Sequence, residues 1–368
     1  MKIVVDDKIP FIRGVFEPYA EVVYLPGAAI GAADVRDADA IVTRTRTRCG
    51  RALLEGSSVR AIASATIGYD HIDTSYCESR GIAWSNAPGC NSGSVAQWVR
   101  SVLETLARNH GFTLAGRTLG IVGVGHVGTK VAALARELGM TVLLCDPPRA
   151  AAEGPQGFVS LEEIIDRADI ITLHVPLDAS TKYMFDVKRI ATLRPNQILI
   201  NSSRGEVVDG TALKEALKTG RLMAAALDVW ENEPEIDPEL AALVEIATPH
   251  IAGYSLDGKA NGTSAAVRFV AKTLGLPGLL DFSVVLDKTT DQVGGDVVVM
   301  PDPACSVMPD PDFVVHDPDF VMHDPDFVMP DPIGHLYLPY DVLADSARLK
   351  ADVSAFEHLR ETYPLRRE

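Results

Sequence analysis

Residues Thr118 to Asp146 read TLGIVGVGHVGTKVAALARELGMTVLLCD, and no other stretch restricts the fold as tightly. A short apolar run, Leu119 to Val122, meets three glycines at Gly123, Gly125 and Gly128. Apolar residues then recur at helical spacing, at Val127, Val131, Leu134, Ala135 and Leu138, until Gly139 stops the pattern. A second strand-like run, Thr141 to Leu144, ends at Asp146. Strand, glycine turn, helix, strand and terminal acid fall in the register of a dinucleotide-binding βαβ unit. Gly123 suits the tight turn, because other residues would need a strained φ there. Gly125 leaves bare backbone for a pyrophosphate, and Gly128 lets the helix close on the strand. The phosphates would sit on free N–H groups at the helix N-terminus. Asp146 would accept hydrogen bonds from ribose hydroxyls and repel a 2′-phosphate, which favours NAD over NADP. The bland alternative is a glycine turn that only packs a helix on a strand. Finding all five parts in register argues against it.

At 368 residues the chain has room for two or three domains. Its net charge of -16 argues against a nucleic-acid surface, which needs a basic footprint. No apolar run is long enough to span a bilayer, and MKIVVDDKIP reads as a first strand and turn rather than a signal peptide. Five cysteines, Cys49, Cys77, Cys90, Cys145 and Cys305, are scattered and form no C-x-x-C pair. The expectation is a reducing, cytoplasmic setting with no disulfide framework and no metal site.

Taken in order, the first 94 residues alternate strand and helix signals, with strands at Lys2 to Val5, Ala40 to Thr43, Val59 to Ser64 and Ile82 to Trp84. Arg44, Arg46 and Arg48 alternate with Thr43, Thr45 and Thr47. If extended, the arginines share one face, giving either an anion site at a strand end or a solvated basic edge. Asp70 and His71 follow a loop of small residues, and a turn with an aspartate cap is preferred there over a functional pair. Ser92 or Ser94 is expected to cap a helix through Trp98, Val102 and Leu106. Pro147-Pro148-Arg149 is expected to stop the strand that ends at Asp146. Further strands at Ile170 to Leu173, Gln197 to Ile200, Met223 to Leu227 and Ile246 to Thr248 lead into polar loops. Open α/β sheets bind ligands at such strand ends.

Three of these loops carry Arg204, Glu233 and His250. Together they fit hydride transfer from an alcohol carbon beside a carboxylate. A histidine titrates near neutrality and suits the base, a glutamate orients it, and a planar guanidinium grips the substrate carboxylate through two bonds. Each also has a local reading: Arg204 paired with Glu206 or Asp209, Glu233 in an acidic solvated loop, His250 as an ordinary loop histidine.

With GVGHVG at 123–128, NSSRGEVVD at 201–209, DVWENEP at 228–234 and TPHIAG at 248–253, the sequence resembles the D-isomer-specific 2-hydroxyacid dehydrogenases. APGCN at 87–91, LLCDPPRA at 143–150, HIAGYSLDGKANGT at 250–263 and the tail from Tyr340 point to the branch acting on 4-phospho-D-erythronate. The resemblance implies a Rossmann-type doubly wound parallel sheet, a flavodoxin-like substrate domain and a C-terminal α+β dimerisation region. The domains would be residues 1–94 with 258–285 for substrate, 95–257 for NAD, and 286–368 for a homodimer contact. It implies oxidation of that substrate to 2-oxo-3-hydroxy-4-phosphobutanoate in pyridoxal 5′-phosphate biosynthesis. Arg204, Glu233 and His250 would be catalytic. Gly123, Gly125, His126, Val127, Gly128, Asp146, Val175, Ser202, Ser203, Arg204, Asp228 and Gly253 would contact NAD. Thr45, Thr66 and Tyr254 would contact substrate, with Arg44 or Arg46 on its phosphate. Asn261 stands where the family's loop usually has an arginine, and Ser203 where the branch often has a cysteine.

Between Met300 and Pro332 a seven-residue unit, DPDFVVH, DPDFVMH, DPDFVMP, recurs from Asp310. A proline in each unit rules out a coiled coil, and an irregular acidic segment is expected. Two other functions remain in view: a dehydrogenase of 3-phosphoglycerate or glycerate, and an NAD(H)-sensing binding protein on the same fold.

Overall fold

The computed structural model describes residues 1–286 and 340–367; the repeat within 300–332 and Cys305 lie outside the described residues. The described chain divides into two units, residues 1–90 with 259–286, and residues 91–258 with 340–367.

The first unit holds a parallel sheet of β1 (Lys2–Asp6), β2 (Glu21–Leu25), β3 (Ala40–Thr43), β4 (Ala61–Ser64) and β5 (Ala83–Ser85), in the order β2-β1-β3-β4-β5. This is the flavodoxin-like order, with its reversal between β1 and β3. Side chains alternate across the strands. Ile3, Val5, Val42 and Ala63 pack with Val267, Val270 and Ala271 of the helix Leu256–Leu274. Val4, Ile41 and Ile62 pack on the other face with Leu53, Leu54 and Cys77. Both faces are covered, so the inner strands read as continuous apolar runs. The edge strand β2 lies outside the strands that the sequence pattern predicts. Its Val22-Val23-Tyr24 core is a fair strand signal, but an exposed Glu21 and Pro26 bound it closely.

Two expectations need correction here. The arginines and threonines at 43–48 do not sort onto two faces, because β3 ends at Thr43 and the chain bends. Thr47 turns inward and donates to Gly27 O at 2.9 Å, and Arg44 pairs with the buried Asp6. The cap of the helix Thr74–Arg80 is Asp73, which accepts from Tyr76 N at 2.9 Å, rather than Asp70.

His71 is buried, and its Nε2 has no hydrogen-bond partner. Burial pulls its pKa down to about 4, against the attraction of Asp70 and with the repulsion of Arg48. Between its ordinary value of 6.5 and about 4 the unfolded chain binds the proton and the folded chain does not. The contribution is therefore intact above pH 6.5 and is lost as pH falls towards 4, amounting to as much as about 3 kcal/mol. Urea melts at pH 7 and pH 4.5 are expected to show a smaller loss on acidification for His71→Leu than for the natural chain. Equal slopes would remove His71 as the cause.

The second unit holds β6 (Thr118–Val122), β7 (Thr141–Cys145), β8 (Ile170–Leu173), β9 (Ile198–Asn201), β10 (Ala224–Leu227) and β11 (Ile246–Ala247). All are parallel, in the order β7-β6-β8-β9-β10-β11. The order reverses between β6 and β8, which is where a Rossmann-type sheet opens its ligand crevice. The helix Ser92–His110 buries Trp98, Val102 and Leu106 as their spacing requires. Its N-cap position is Asn91, and the serines lie inside the helix. Ser94 instead donates to Ser255 Oγ at 2.7 Å. Pro147 and Pro148 begin the helix Pro147–Glu153 as well as ending a strand, since proline fits a first helical turn whose N–H groups lack partners anyway.

Residues 340–367, grouped by the resemblance with a separate C-terminal region, belong to this unit. Leu349 and Phe356 are fully buried in its core, and Ser346 Oγ accepts from Ala247 N on the edge strand β11 at 3.0 Å. The helix Val342–Ala351 thus covers an edge that would otherwise expose unpaired backbone groups.

Candidate active site

The glycine turn leaves β6 and enters the helix His126–Glu137. Gly123 has φ +87°, and a Cβ there would lie 2.5 Å from His174 O, in the loop after β8. A Cβ on Gly128 would lie 2.1 Å from Gly123 O. Gly125 differs: nothing lies within 4 Å of its would-be Cβ, so its backbone faces open space. The three glycines thus serve a turn, an open approach and a close helix contact. Asp146 supports the turn directly, accepting from Val124 N at 2.7 Å and from Arg149 N at 3.0 Å. The second bond makes it the N-cap of the following helix, a task the sequence reading did not assign it.

His250 and Glu233 come together. His250 Nδ1 lies 2.8 Å from Glu233 Oε2, while Glu233 Oε1 accepts from Trp230 N at 3.0 Å. Burial would raise the Glu233 pKa, but the charge and hydrogen bond of His250, the Trp230 N–H and Arg360 outweigh it and hold the carboxyl below its ordinary range. His250 has φ +57°, a left-handed backbone unusual for a residue with a side chain. Asp228 holds it there. The Asp228 carbonyl accepts from His250 N at 2.7 Å. Its carboxylate accepts from Thr248 Oγ1 at 2.6 Å, Ile251 N at 2.8 Å and Ala252 N at 2.9 Å. Burial pushes the Asp228 pKa up, against the pull of His250 and these three donors. Asp228 therefore braces the His250 loop from within, beyond the cofactor contact read for it.

Arg204 follows β9 in extended backbone, with Nη1 donating to Ser203 O at 2.8 Å. Asn201, which sequence reasoning passed over as a strand end, organises this turn. Its Nδ2 donates to Arg204 O at 2.9 Å, and its Oδ1 accepts from Ser203 N at 3.0 Å and Ser203 Oγ at 2.8 Å. Ser202 Oγ is buried without a hydrogen-bond partner. Gly253 has a specific steric reason: a Cβ there would lie 2.1 Å from Asn91 Nδ2.

In the first unit, Arg44 Nε donates to Asp6 Oδ2 at 3.1 Å, at the ends of β3 and β1. Thr66 Oγ1 lies 2.9 Å from Ser64 Oγ and donates to Gly68 O at 3.2 Å, while Thr45 and Arg46 are exposed. Asn261 donates to Cys90 O at 3.1 Å, a short reach that leaves its own helix exposed at that position.

The C-terminal tail supplies two residues that no local motif marks as part of the site, since each lies more than a hundred positions from the groups it touches. Arg366 donates to Ile251 O at 3.0 Å, to Ala252 O, and to Ser94 O at 3.1 Å, tying down the loop after His250. Arg360 donates to Tyr254 Oη at 3.2 Å and places Nη1 3.9 Å from Glu233 Oε2.

Comparison with known proteins settles the family. Residues 92–252 match the model for the NAD-binding domain of D-isomer-specific 2-hydroxyacid dehydrogenases. The chain is 44% identical to an erythronate-4-phosphate dehydrogenase of Bacteroides fragilis, across all of this chain and 97% of the relative. It is 45% identical to that of Ectopseudomonas mendocina, across all of this chain and 93% of the relative. The chain belongs to the erythronate-4-phosphate dehydrogenase branch of the D-isomer-specific 2-hydroxyacid dehydrogenases. A crystal structure of a Thermus thermophilus protein matches with a TM-score of 0.63 and 27% identity, over 75% of this chain and 97% of that one. A D-lactate dehydrogenase of Aquifex aeolicus, complexed with NAD and lactic acid, matches in fold with a TM-score of 0.63 at 24% identity, over 82% of this chain and all of that one.

As a member of this family the chain is an NAD-dependent dehydrogenase. Its residues fit that cofactor: open backbone at Gly125, a helix N-terminus behind it, an acid at the end of β7, and an unpartnered buried hydroxyl at Ser202. Among the described residues no cluster of histidine, cysteine or acidic side chains is placed to hold a metal ion. Among them, too, no helix is long and apolar enough to cross a membrane.

Proposed function

We propose that this dehydrogenase oxidises 4-phospho-D-erythronate at C2 to 2-oxo-3-hydroxy-4-phosphobutanoate, as a step towards pyridoxal 5′-phosphate. The observation that carries the catalytic part is the 2.8 Å contact between His250 Nδ1 and Glu233 Oε2. With Nδ1 donating to the glutamate, Nε2 is the basic nitrogen and takes the C2 hydroxyl proton. The imidazolium that results is stabilised by Glu233, whose carboxylate is already fixed by Trp230 N. Arg204 holds the substrate carboxylate with its planar fork. When bound, NAD supplies the hydride acceptor. We assign Gly123, Gly125, His126, Val127, Gly128, Asp146, Val175, Ser202, Ser203, Asp228 and Gly253 to the cofactor. Thr45, Thr66 and Tyr254 go to the substrate, with Arg44 or Arg46 on its phosphate.

The substrate follows from relatives named erythronate-4-phosphate dehydrogenases that align along the whole chain. An NAD-coupled assay is expected to give its highest kcat/KM on 4-phospho-D-erythronate, above 3-phospho-D-glycerate and D-glycerate. A preference for 3-phospho-D-glycerate would reassign the substrate. Binding of NADH without oxidation of any of the three would favour a sensing role instead.

A further inference from the structure

Arg360 lies on the helix Phe356–Glu361, whose first residue is fully buried in the second unit's core. The side chain is therefore delivered from an anchored base. Its Nε is fixed by Tyr254 Oη at 3.2 Å, and its Nη1 approaches the same Glu233 oxygen that His250 Nδ1 engages. The guanidinium also stacks 6.0 Å over the Tyr254 ring, and Tyr254 meets Tyr363 edge-on at 6.3 Å. Only 22% of the Arg360 side chain is exposed, so this ion pair is screened less than a surface pair. Its Nη1 lies 3.9 Å from carboxylate oxygens of both Glu233 and Glu357. His250 and Asp228 lie beyond Glu233.

We propose that Arg360 is a positioning residue of this active site: carried in by the C-terminal tail, it shares the Glu233 oxygen that His250 engages and offsets part of the charge that carboxylate presents to the imidazole. The proposal rests on the reading of His250 as the base. A carboxylate serving one imidazole alone stabilises the imidazolium fully, and the base is then protonated over a wider pH range. A carboxylate shared with a fixed cation stabilises it less. Removing the cation should therefore strengthen the hold of Glu233 on the imidazolium. Glu233 keeps its geometry through Trp230 N, so the cation acts mainly through charge. The tail is then part of the catalytic apparatus as well as a cover for β11.

The test is Arg360→Gln beside Arg360→Lys, with two readouts. The first is the pH dependence of kcat/KM for 4-phospho-D-erythronate oxidation. The second is the titration of the His250 imidazole by NMR in the protein without substrate, assigned by its loss in His250→Ala. In Arg360→Gln both midpoints are expected to rise by about half a pH unit or more, from the Coulomb energy of a charge at this range. Arg360→Lys keeps the charge and is expected to stay close to the natural value. If Arg360→Gln lowers kcat/KM equally at every pH and leaves the imidazole titration in place, the tail is structural only and the proposal is overturned. Identical titrations for the two variants overturn it too. The imidazole titration needs no turnover, so it stays informative if the substrate assignment fails. A natural enzyme whose activity survives His250→Ala would reveal failure of the catalytic reading itself.

Discussion

His250→Ala is expected to lower kcat for oxidation of the 2-hydroxy acid by about 100- to 10,000-fold while leaving NADH affinity unchanged. The size is that of a positioned general base removed from a proton transfer. Nothing in the glycine turn depends on the imidazole, which bonds to Glu233 at 2.8 Å. Binding of NADH, followed by fluorescence, should therefore be preserved. Full activity in the variant would sink the assignment of the base, and loss of NADH binding would show that the substitution disturbs the unit as a whole.

Asp228→Ala is expected to destabilise the second unit strongly, by about 3–5 kcal/mol. The carboxylate is buried and accepts three hydrogen bonds, from Thr248 Oγ1, Ile251 N and Ala252 N. Removing it leaves three buried donors without partners, and each carries its own desolvation penalty. It also removes the brace on either side of His250, whose φ of +57° is costly without support. Urea unfolding measures the loss. A change below about 1 kcal/mol, the scale of an ordinary surface contact, would mean that the loop is held elsewhere. Asp228→Asn retains one acceptor and should fall between the two.

Much of the candidate site's geometry was legible because its residues lie in short continuous motifs. The glycine spacing and Asp146 specify a local βαβ unit, and each glycine's demand is met within a few residues of chain or at the neighbouring strand end. Arg204, Glu233 and His250 fall at three successive strand ends, and a parallel sheet brings such ends to one edge. The pairing of His250 with Glu233 follows from that, since β10 and β11 are neighbours in the sheet. The errors have equally local causes. The arginine–threonine alternation suggested an extended segment, but β3 stops at Thr43 once Arg44 has a buried carboxylate to reach. Ser92 and Ser94 had the composition of caps, but the helix begins earlier, and burial turned Ser94 towards Ser255.

The sequence by itself determined the nucleotide-binding unit, its NAD cofactor and the strand-end positions of the candidate reacting groups, because each rests on residue type at fixed spacing along one sheet edge. Tertiary structure alone decided what surrounds them. Asn91 beneath Gly253, Asn201 within the Arg204 turn, and Arg360 and Arg366 on the His250 loop are all set by packing. The last two come from a segment more than a hundred residues downstream, placed by the burial of Leu349 and Phe356 in the nucleotide-binding core. No periodicity or motif records such a contact, because its cause is apolar burial at a distance and its chemistry is a consequence of where that burial leaves two arginines.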